Sequence, residues 1–441
     1  MKKVITYGTF DLFHQGHYNL LKRAKELGTH LTVGITSDYF NKCRGKFNVN
    51  DSIMQRIKNV ESTGFADEIV IEEYFGQKID DIKHKNIDIF AIGSDWDGHF
   101  DYLKEYCDVV YLERTKGISS TELRNKNSIR LGICGNEPIL SRMLDELRYV
   151  SGFSLNGIIP SNHSTNLLTP VECPVFDDYD SLLENCDAVY INAPLKNRSL
   201  LIEQALRKKK HVLTEFPFCT SENTAKRLLD LSISQNVVLM EGLKTAYCPA
   251  FGKLVSLARS GLIGNILEVT ANFTQILENL DEQIRLTGGS MESLSAYPLL
   301  AFSKLFGTDF KDARFYTHID KKGLDLYTKI FLTFKESIAS GTVAIQGKCE
   351  GNLIIAGTKG YIYVPAPWWK TEYFEVRYED INKNNAYFYK FEGEGLRYEV
   401  VEFLRSIREN RIDNLLLTHD EMYSEAKILD MFLKMRHSTK F

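Results

Sequence analysis

Residues 8–17 read GTFDLFHQGH, with two histidines, His14 and His17, three positions apart around Gly16. The run KKVITYG before them reads as a strand, and HYNLLKRAKELG after them as a helix stopped by Gly28. The imidazoles therefore stand where a strand gives way to a helix. A helix N-terminus offers unpaired N–H groups and the positive end of the macrodipole, so it binds phosphate readily. Gly8 and Gly16 let the main chain approach such a ligand. His14 and His17 can then donate to a phosphate on which negative charge grows during transfer. No protein nucleophile is needed when the attacking atom is itself a phosphate oxygen; catalysis is then positioning plus electrostatics. Taken alone, a histidine near a helix end also reads as a hydrogen-bonded structural residue.

A second stretch, ERTKGISSTELR, fits the same ligand. It follows the strand DVVYLE, and Ser119 with Glu122 forms a capping box that starts another helix. Arg114, the main chain at Gly117 and Ile118, and the hydroxyls of Ser119, Ser120 and Thr121 would grip the outer phosphates of a nucleoside triphosphate. The plainer reading is that Ser119 and Glu122 only cap a helix. Both stretches lie at strand-to-helix junctions at the two ends of one α/β unit, where such sheets bind ligands.

The elements that must position these groups follow from pattern. At 441 residues the chain is too long for one ordinary core, so two or three domains are expected. Its apolar and charged fractions are those of a soluble globular protein. A net charge of −4 argues against a nucleic-acid binder. The eight cysteines show no CxxC pair and read as thiols of a reducing compartment. The first apolar run is broken by Asp11 and His14, unlike a secretory signal, and no apolar run is long enough to span a bilayer. A cytoplasmic protein without membrane insertion is expected. Strands HLTVGITS, EIVIEE, IDIFAIGSD and DVVYLER alternate with helices around IMQRIKNVESTG, QKIDDIKHKN and DYLKEYC, which predicts a parallel doubly wound sheet closing near residue 127. The polar stretch NKCRGKFNVN reads as a loop. From IRLGICG the alternation restarts and predicts a second Rossmann-type sheet. After about residue 262, long strands without regular helices between them suggest a mostly antiparallel sheet, closed by a helix over LRYEVVEFLRSIREN. The expected fold class is α/β, with domains at 1–127, 128–247 and 248–441.

GTFDLFHQGH together with RTKGISST resembles the HxGH nucleotidyltransferase superfamily. The strings ITYGTFDL, LLKRAKELG and NIDIFAIGSDWDGHFDYLKEYCDVVYLERTKGIS resemble the glycerol-3-phosphate cytidylyltransferase family across the first 127 residues or so. The resemblance implies roles. Thr9, Phe10 and Asp11 lie in the loop beside the triphosphate, with Gly16 in the same motif. His14 and His17 stabilise the transition state, and Arg114 with the segment after it holds the nucleotide. Asp38 faces the acceptor, while Arg44 and Lys46 neutralise phosphates; by themselves those two would be a solvated charge cluster. Asp95 and Trp96 match the GSDWDG segment and read equally as a capped turn and a packed ring. The implied reaction joins CTP and an alditol phosphate into a CDP-alditol and pyrophosphate, with Mg²⁺ balancing the triphosphate. Gly64 stands where the family has an arginine, Phe75 where it has a tryptophan, and Lys116 where it has a glutamate. These departures put the identity of the alditol phosphate in doubt.

In the second half, LGICGNE sits where a dinucleotide fingerprint belongs. Gly135 serves the tight turn, but Glu137 stands where the second glycine lets main chain approach pyrophosphate. Ser161 and Asn162 occupy the place of the acidic residue that would hold the ribose. DAVYINAPLKNRSLLIEQALRKKKHVLTEFPF, VVLMEGLKTAYCPAFGKLVSLARSGLIGNI, GGSMESLSAYPLLAFSKLFG and GEGLRYEVVEFLRSI resemble the glucose-fructose oxidoreductase and inositol dehydrogenase family over residues 128–441. The resemblance places its Glu-Lys-Pro motif at Glu215-Phe216-Pro217, its Tyr-Pro tyrosine at Tyr297, its aspartate at Ser293 and its histidine at Arg198. Lys244 could lend a positive charge or be a surface lysine. Phenylalanine neither gives nor takes a proton, and loss of a proton-transfer group lowers rates by on the order of 10²–10⁴.

Two readings follow. In one, the second half is a degenerate oxidoreductase kept as a scaffold or binding domain, and NAD(P) is doubtful. In the other, it reduces a keto-sugar phosphate or a CDP-linked compound with NAD(P)H. A homo-oligomer is expected, with no nucleic-acid partner.

Overall fold

The structure, a computed structural model, describes residues 2–43, 49–74, 76–113, 128–135, 139–147, 149–150, 152–160, 173–278, 288–389, 391 and 393–435. The chain divides into two compact units, Met1–Ser128 with Tyr149–Gly152, and Ile129–Arg148 with Phe153–Phe441. The first is a parallel sheet of β1 (Lys3–Gly8), β2 (His30–Thr36), β3 (Glu68–Glu72), β4 (Ile89–Gly93) and β5 (Asp108–Leu112) in the order β3-β2-β1-β4-β5. Helices α1 (Gln15–Glu26), α2 (Asp38–Cys43), α3 (Ile53–Glu61) and α4 (Gln77–Lys85) connect the strands.

Alternation along the strands builds a core on each face. Val4, Leu31, Val33, Ile35, Ile89 and Ala91 pack with Leu21 and Ala24 of α1 on one side. Ile5, Tyr7, Phe90 and Ile92 pack with Ile82 of α4 on the other. A parallel sheet with both faces covered is the expected result of such near-continuous apolar strands. Strand order reverses between β1 and β4, the switch point at which the carboxyl ends of α/β sheets form a crevice.

Two local expectations are corrected. DYLKEYC forms only a 3₁₀ turn, Asp101–Glu105, and Asn41 to Cys43 end α2 rather than open a loop.

The second unit holds the other two sheets. Strands β6 (Ile129–Gly135), β7 (Phe153–Pro160), β8 (Ala188–Asn192), β9 (His211–Glu215) and β10 (Leu239–Gly242) form a parallel sheet in the order β10-β9-β8-β6-β7. An eight-stranded sheet follows: β11 (Ile266–Thr274), β12 (Asp312–Ile319), β13 (Asp325–Thr333), β14 (Ile338–Ala344), β15 (Leu353–Gly357), β16 (Tyr361–Val364), β17 (Tyr373–Arg377) and β18 (Asn385–Phe388). Its order is β12-β13-β14-β11-β15-β16-β17-β18, antiparallel except where β11 runs parallel to β14.

Here the sequence pattern misled in three places. Helices Ser290–Leu294 and Ala296–Phe306 lie between β11 and β12, where none was expected. β12 went unread although Ala313, Phe315, Thr317 and Ile319 alternate inward. CEGNLIIAGTKGYIYV splits into the antiparallel pair β15 and β16. The C-terminal helices expected for the last domain are Leu396–Arg408 and His419–Met435. No helix among the described residues is long and apolar enough to cross a membrane.

Candidate active site

The loop from β1 to α1 is tightly folded. Phe10 and Leu12 both take positive φ, +54° and +46°, a conformation that strains any residue with a Cβ. The Phe10 ring folds back under Gly8, where a Cβ would lie 2.9 Å from it, so residue 8 has to be glycine. The strain is offset by a reciprocal lacing. Asp11 is buried, and its Oδ1 accepts the N–H groups of Asn50 and Asp51 at 3.0 and 2.9 Å. Asp51 Oδ2 accepts the N–H of Leu12 at 3.0 Å. Hydrogen bonds to charged acceptors contribute about 1.5–3 kcal/mol each, enough to hold two residues of about 1–3 kcal/mol strain.

His14 caps α1: its Nδ1 accepts the N–H of Gly16 at 3.0 Å. A ring nitrogen that accepts carries no proton, so Nε2 is the donor nitrogen of a neutral His14. The His17 ring stacks on it with centroids 4.0 Å apart and planes 19° apart. Phe10 and Phe13 flank His17 at 5.5 and 5.4 Å. The first turn of α1 carries no acidic side chain, whereas Arg23 and Lys25 occupy its last turn. The macrodipole is thus left uncompensated only at the histidine end.

Arg56 was missed in the sequence and organises the neighbouring loops. Fully buried, it donates from Nη1 to the carbonyls of Thr9 (2.9 Å) and Thr36 (2.7 Å) and from Nε to that of Asp51 (3.0 Å). Its Nη2 pairs with Asp38 Oδ1. One guanidinium therefore joins the ends of β1 and β2 to the start of α3. A signal existed: Ile53, Arg56, Ile57 and Val60 form one helical stripe, so Arg56 falls on the inward face.

The remaining positions are placed as follows. Thr9 donates from Oγ1 to Asn41 Oδ1 at 3.1 Å. Asp38 begins α2 half exposed, and its Oδ2 accepts the N–H of Ile53 at 3.4 Å. Asp95 is exposed on the 3₁₀ turn Ser94–Trp96 that follows β4. Gly64 takes φ +69° in an exposed turn, a conformation that disfavours the family's arginine. Arg44, Lys46, Phe75, Arg114, Lys116, Gly117, Ile118, Ser119, Ser120 and Thr121 lie outside the described residues. Arg23 of α1 donates to the carbonyl of Glu113, the residue directly before Arg114.

In the second unit, Glu215 ends β9 and its carboxylate accepts the hydroxyl of Tyr190 from β8. Burial, first, raises the Glu215 carboxyl above its usual range. Burial and then the charge of Glu215 push Glu399 well above its ordinary value, with Lys244 opposing. Burial followed by Glu399 and Glu215 raises the Tyr297 hydroxyl. Glu215, Glu399, Lys244 and Tyr297 therefore share one electrostatic neighbourhood. Lys244 is half-buried and donates to the carbonyl of Glu394 at 2.9 Å. Arg198 is buried and clamps the carbonyls of Ala193, Glu215 and Pro217 with its guanidinium, a structural task. Ser293 donates to the carbonyl of Gly288 at 3.1 Å. Gly135 ends β6 in register with Pro160 and Asn192; Glu137, Ser161 and Asn162 lie outside the described residues. Tyr190 and Glu399 were also missed, although a glutamate one turn before Phe403 on an amphipathic helix was a readable anomaly. Among the described residues no group of three or more His, Cys, Asp or Glu is arranged to hold a metal ion.

Residues 5–126 match the cytidylyltransferase-like family, and residues 129–243 match the oxidoreductase family with an NAD-binding Rossmann fold. The glycerol-3-phosphate cytidylyltransferase of Bacillus spizizenii is 52% identical over 124 residues, 28% of this chain and 95% of that protein. The scyllo-inositol 2-dehydrogenase (NADP(+)) of Bacillus subtilis is 26% identical over 330 residues, 68% of this chain and 95% of that protein. A solved 3-ketoreductase of Actinomadura kijaniata, in complex with NADP and TDP-benzene, shares the fold with a TM-score of 0.62 at 19% identity, over 71% of this chain and 98% of its own. The chain belongs to the cytidylyltransferase-like family through its first unit, and its second unit carries the fold of the oxidoreductase family. It is a nucleotidyltransferase of the glycerol-3-phosphate cytidylyltransferase type fused to an oxidoreductase-like unit.

Proposed function

We propose that the first unit transfers the cytidylyl group of CTP to an alditol phosphate. A phosphate oxygen of the acceptor attacks the α-phosphorus, the bond to the β-phosphate breaks, and pyrophosphate leaves. CTP enters with Mg²⁺, which balances its charge. His14 and His17 donate as negative charge grows on the α-phosphate and the leaving group. Thr9, Phe10, Asp11 and Gly16 form the loop beside the triphosphate. Arg114, Gly117, Ile118, Ser119, Ser120 and Thr121 hold the nucleotide with Asp95 nearby. Asp38, Arg44 and Lys46 serve the acceptor, and Arg56 positions Asp38. The observation that carries this reading is the stacked imidazole pair at the uncompensated N-terminus of α1, beside the switch point. The product would feed a cell-surface polymer such as teichoic acid or capsule, made in the cytoplasm.

The second unit acts as a binding or scaffold part. Phe216 has no proton to give. A second reading, NAD(P)H-dependent reduction of a keto-sugar phosphate or a CDP-linked compound, is favoured by one observation: Tyr190, Glu215, Lys244 and Tyr297 gather around one locus. The test is a screen of CTP against alditol phosphates and keto-sugar phosphates, with and without NAD(P)H, read by mass spectrometry. A CDP-alditol formed only from alditol phosphates supports the proposal; no CDP product from any acceptor refutes it.

A further inference from the structure

The second unit contains a cavity of about 460 Å³ at the meeting of three segments. They are the first turns of helix Leu195–Arg207 after β8, the turn after β9 that enters helix Glu222–Gln235, and the start of helix Ser290–Leu294. That volume lies in the range of small-molecule sites, about 300–1,000 Å³. The polar lining is lopsided. Lys196, Ser199, Thr220 and Thr224 bring donors, and Glu292 brings the one carboxylate.

The donors are uncommitted. Lys196 has no ion-pair partner among the described residues, and the hydroxyls of Ser199, Thr220 and Thr224 make no hydrogen bond there, although all three residues are half-buried. Glu292, by contrast, already accepts the N–H of Gly289 at 3.2 Å, and Ser221 accepts that of Thr224 at 3.5 Å. Half-buried donors without a protein partner are satisfied by water or by a ligand. An ammonium and three hydroxyls suit the oxygens of a phosphate ester. A carboxylate beside them repels phosphate and accepts alcohol hydroxyls.

We propose that this cavity binds a phosphate ester of a small polyol, with phosphate at Lys196 and hydroxyls toward Glu292. The proposal rests on reading the second unit as a binding part. The free alditol phosphate and the CDP-linked product of the first unit share this chemistry.

Calorimetric titration of the full chain with glycerol 3-phosphate, CDP-glycerol, glycerol and inorganic phosphate separates them. In the expected result, one of the two esters shows a binding component that Lys196→Ala and Thr224→Val each weaken at least about tenfold. Pyrophosphate release from CTP keeps its kcat and KM in both variants. Identical titrations of wild type and Lys196→Ala with both esters would overturn the proposal, as would inorganic phosphate binding as tightly as the esters. The binding reading of the second unit fails by a different signal: oxidation of NADPH or NADH in the presence of a keto-sugar phosphate.

Discussion

The two units treat buried charge in opposite ways. Around the first site, Asp11 and Asp51 accept main-chain N–H groups, and Asp38 pairs with Arg56. Each carboxylate is engaged locally, so the mouth of α1 keeps its positive character. Around Glu215 the carboxyls face one another. Burial raises Glu215, Glu399, Glu241 and Glu425, and for Glu399, Glu241 and Glu425 a neighbouring acid adds to the rise. A site for a triphosphate requires the first arrangement. The second holds protons, and the phosphate donors proposed for the second unit, at Lys196, line a separate cavity.

The largest expected effect that tests this contrast is at His17. His17→Ala should lower pyrophosphate release by about 10²–10³, since a donor aimed at developing charge is worth that much. Near-normal turnover would remove the first half of the comparison.

Arg56→Leu comes next. It leaves Asp38 without its cation and three carbonyls without their donor, so a loss of about 3–5 kcal/mol in urea unfolding is expected, with a matching loss of activity. Arg56→Lys should recover part of the stability but little of the rate, because an ammonium cannot reproduce the guanidinium's four contacts. Unchanged unfolding in Arg56→Leu would show the lacing to be incidental.

A smaller effect sharpens the second half. Glu241 is buried, its Oε1 accepts the N–H of Phe218 at 2.7 Å, and burial pushes its carboxyl up to about 7, with Glu425 and Arg198 as its charged neighbours. A group whose folded pKa is raised stabilises fully below its unfolded value, and the contribution is lost as pH climbs to the folded one. Wild-type stability should therefore fall between about pH 4.5 and 7, by at most about 1.4 kcal/mol per pH unit for this group. Glu241→Gln keeps the acceptor and should flatten the profile in urea titrations across that range. A flat wild-type profile would contradict the account.

The smallest expected change is none. Phe216→Lys restores one missing proton carrier but not the glycine replaced by Glu137, so no hydride transfer should appear when NADPH absorbance is followed with keto-sugar phosphates. Measurable turnover would favour the reductase reading.

Much of this was legible in the chain itself. The short apolar, β-branched runs in KKVITYG and HLTVGITS, with Gly28 as a stop between them, point to a parallel α/β unit, because run length and punctuation are local. HxGH at a strand-to-helix junction points to the place where phosphate chemistry is proposed, because a helix N-terminus is positive whatever surrounds it. The mostly antiparallel sheet was readable only in outline: β12 alternates with polar residues that resemble a loop, and Ala296–Phe306 is apolar nearly all round, so neither its period nor its type stood out.

Only the tertiary structure decided how charges are matched. That Asp11 serves main chain brought from residues 50 and 51, that Arg56 joins three loop ends, and that burial and then the charge of Glu215 raise Glu399 depend on neighbours far apart in sequence. Electrostatic energy follows distance in space and burial, which the order of residues does not carry.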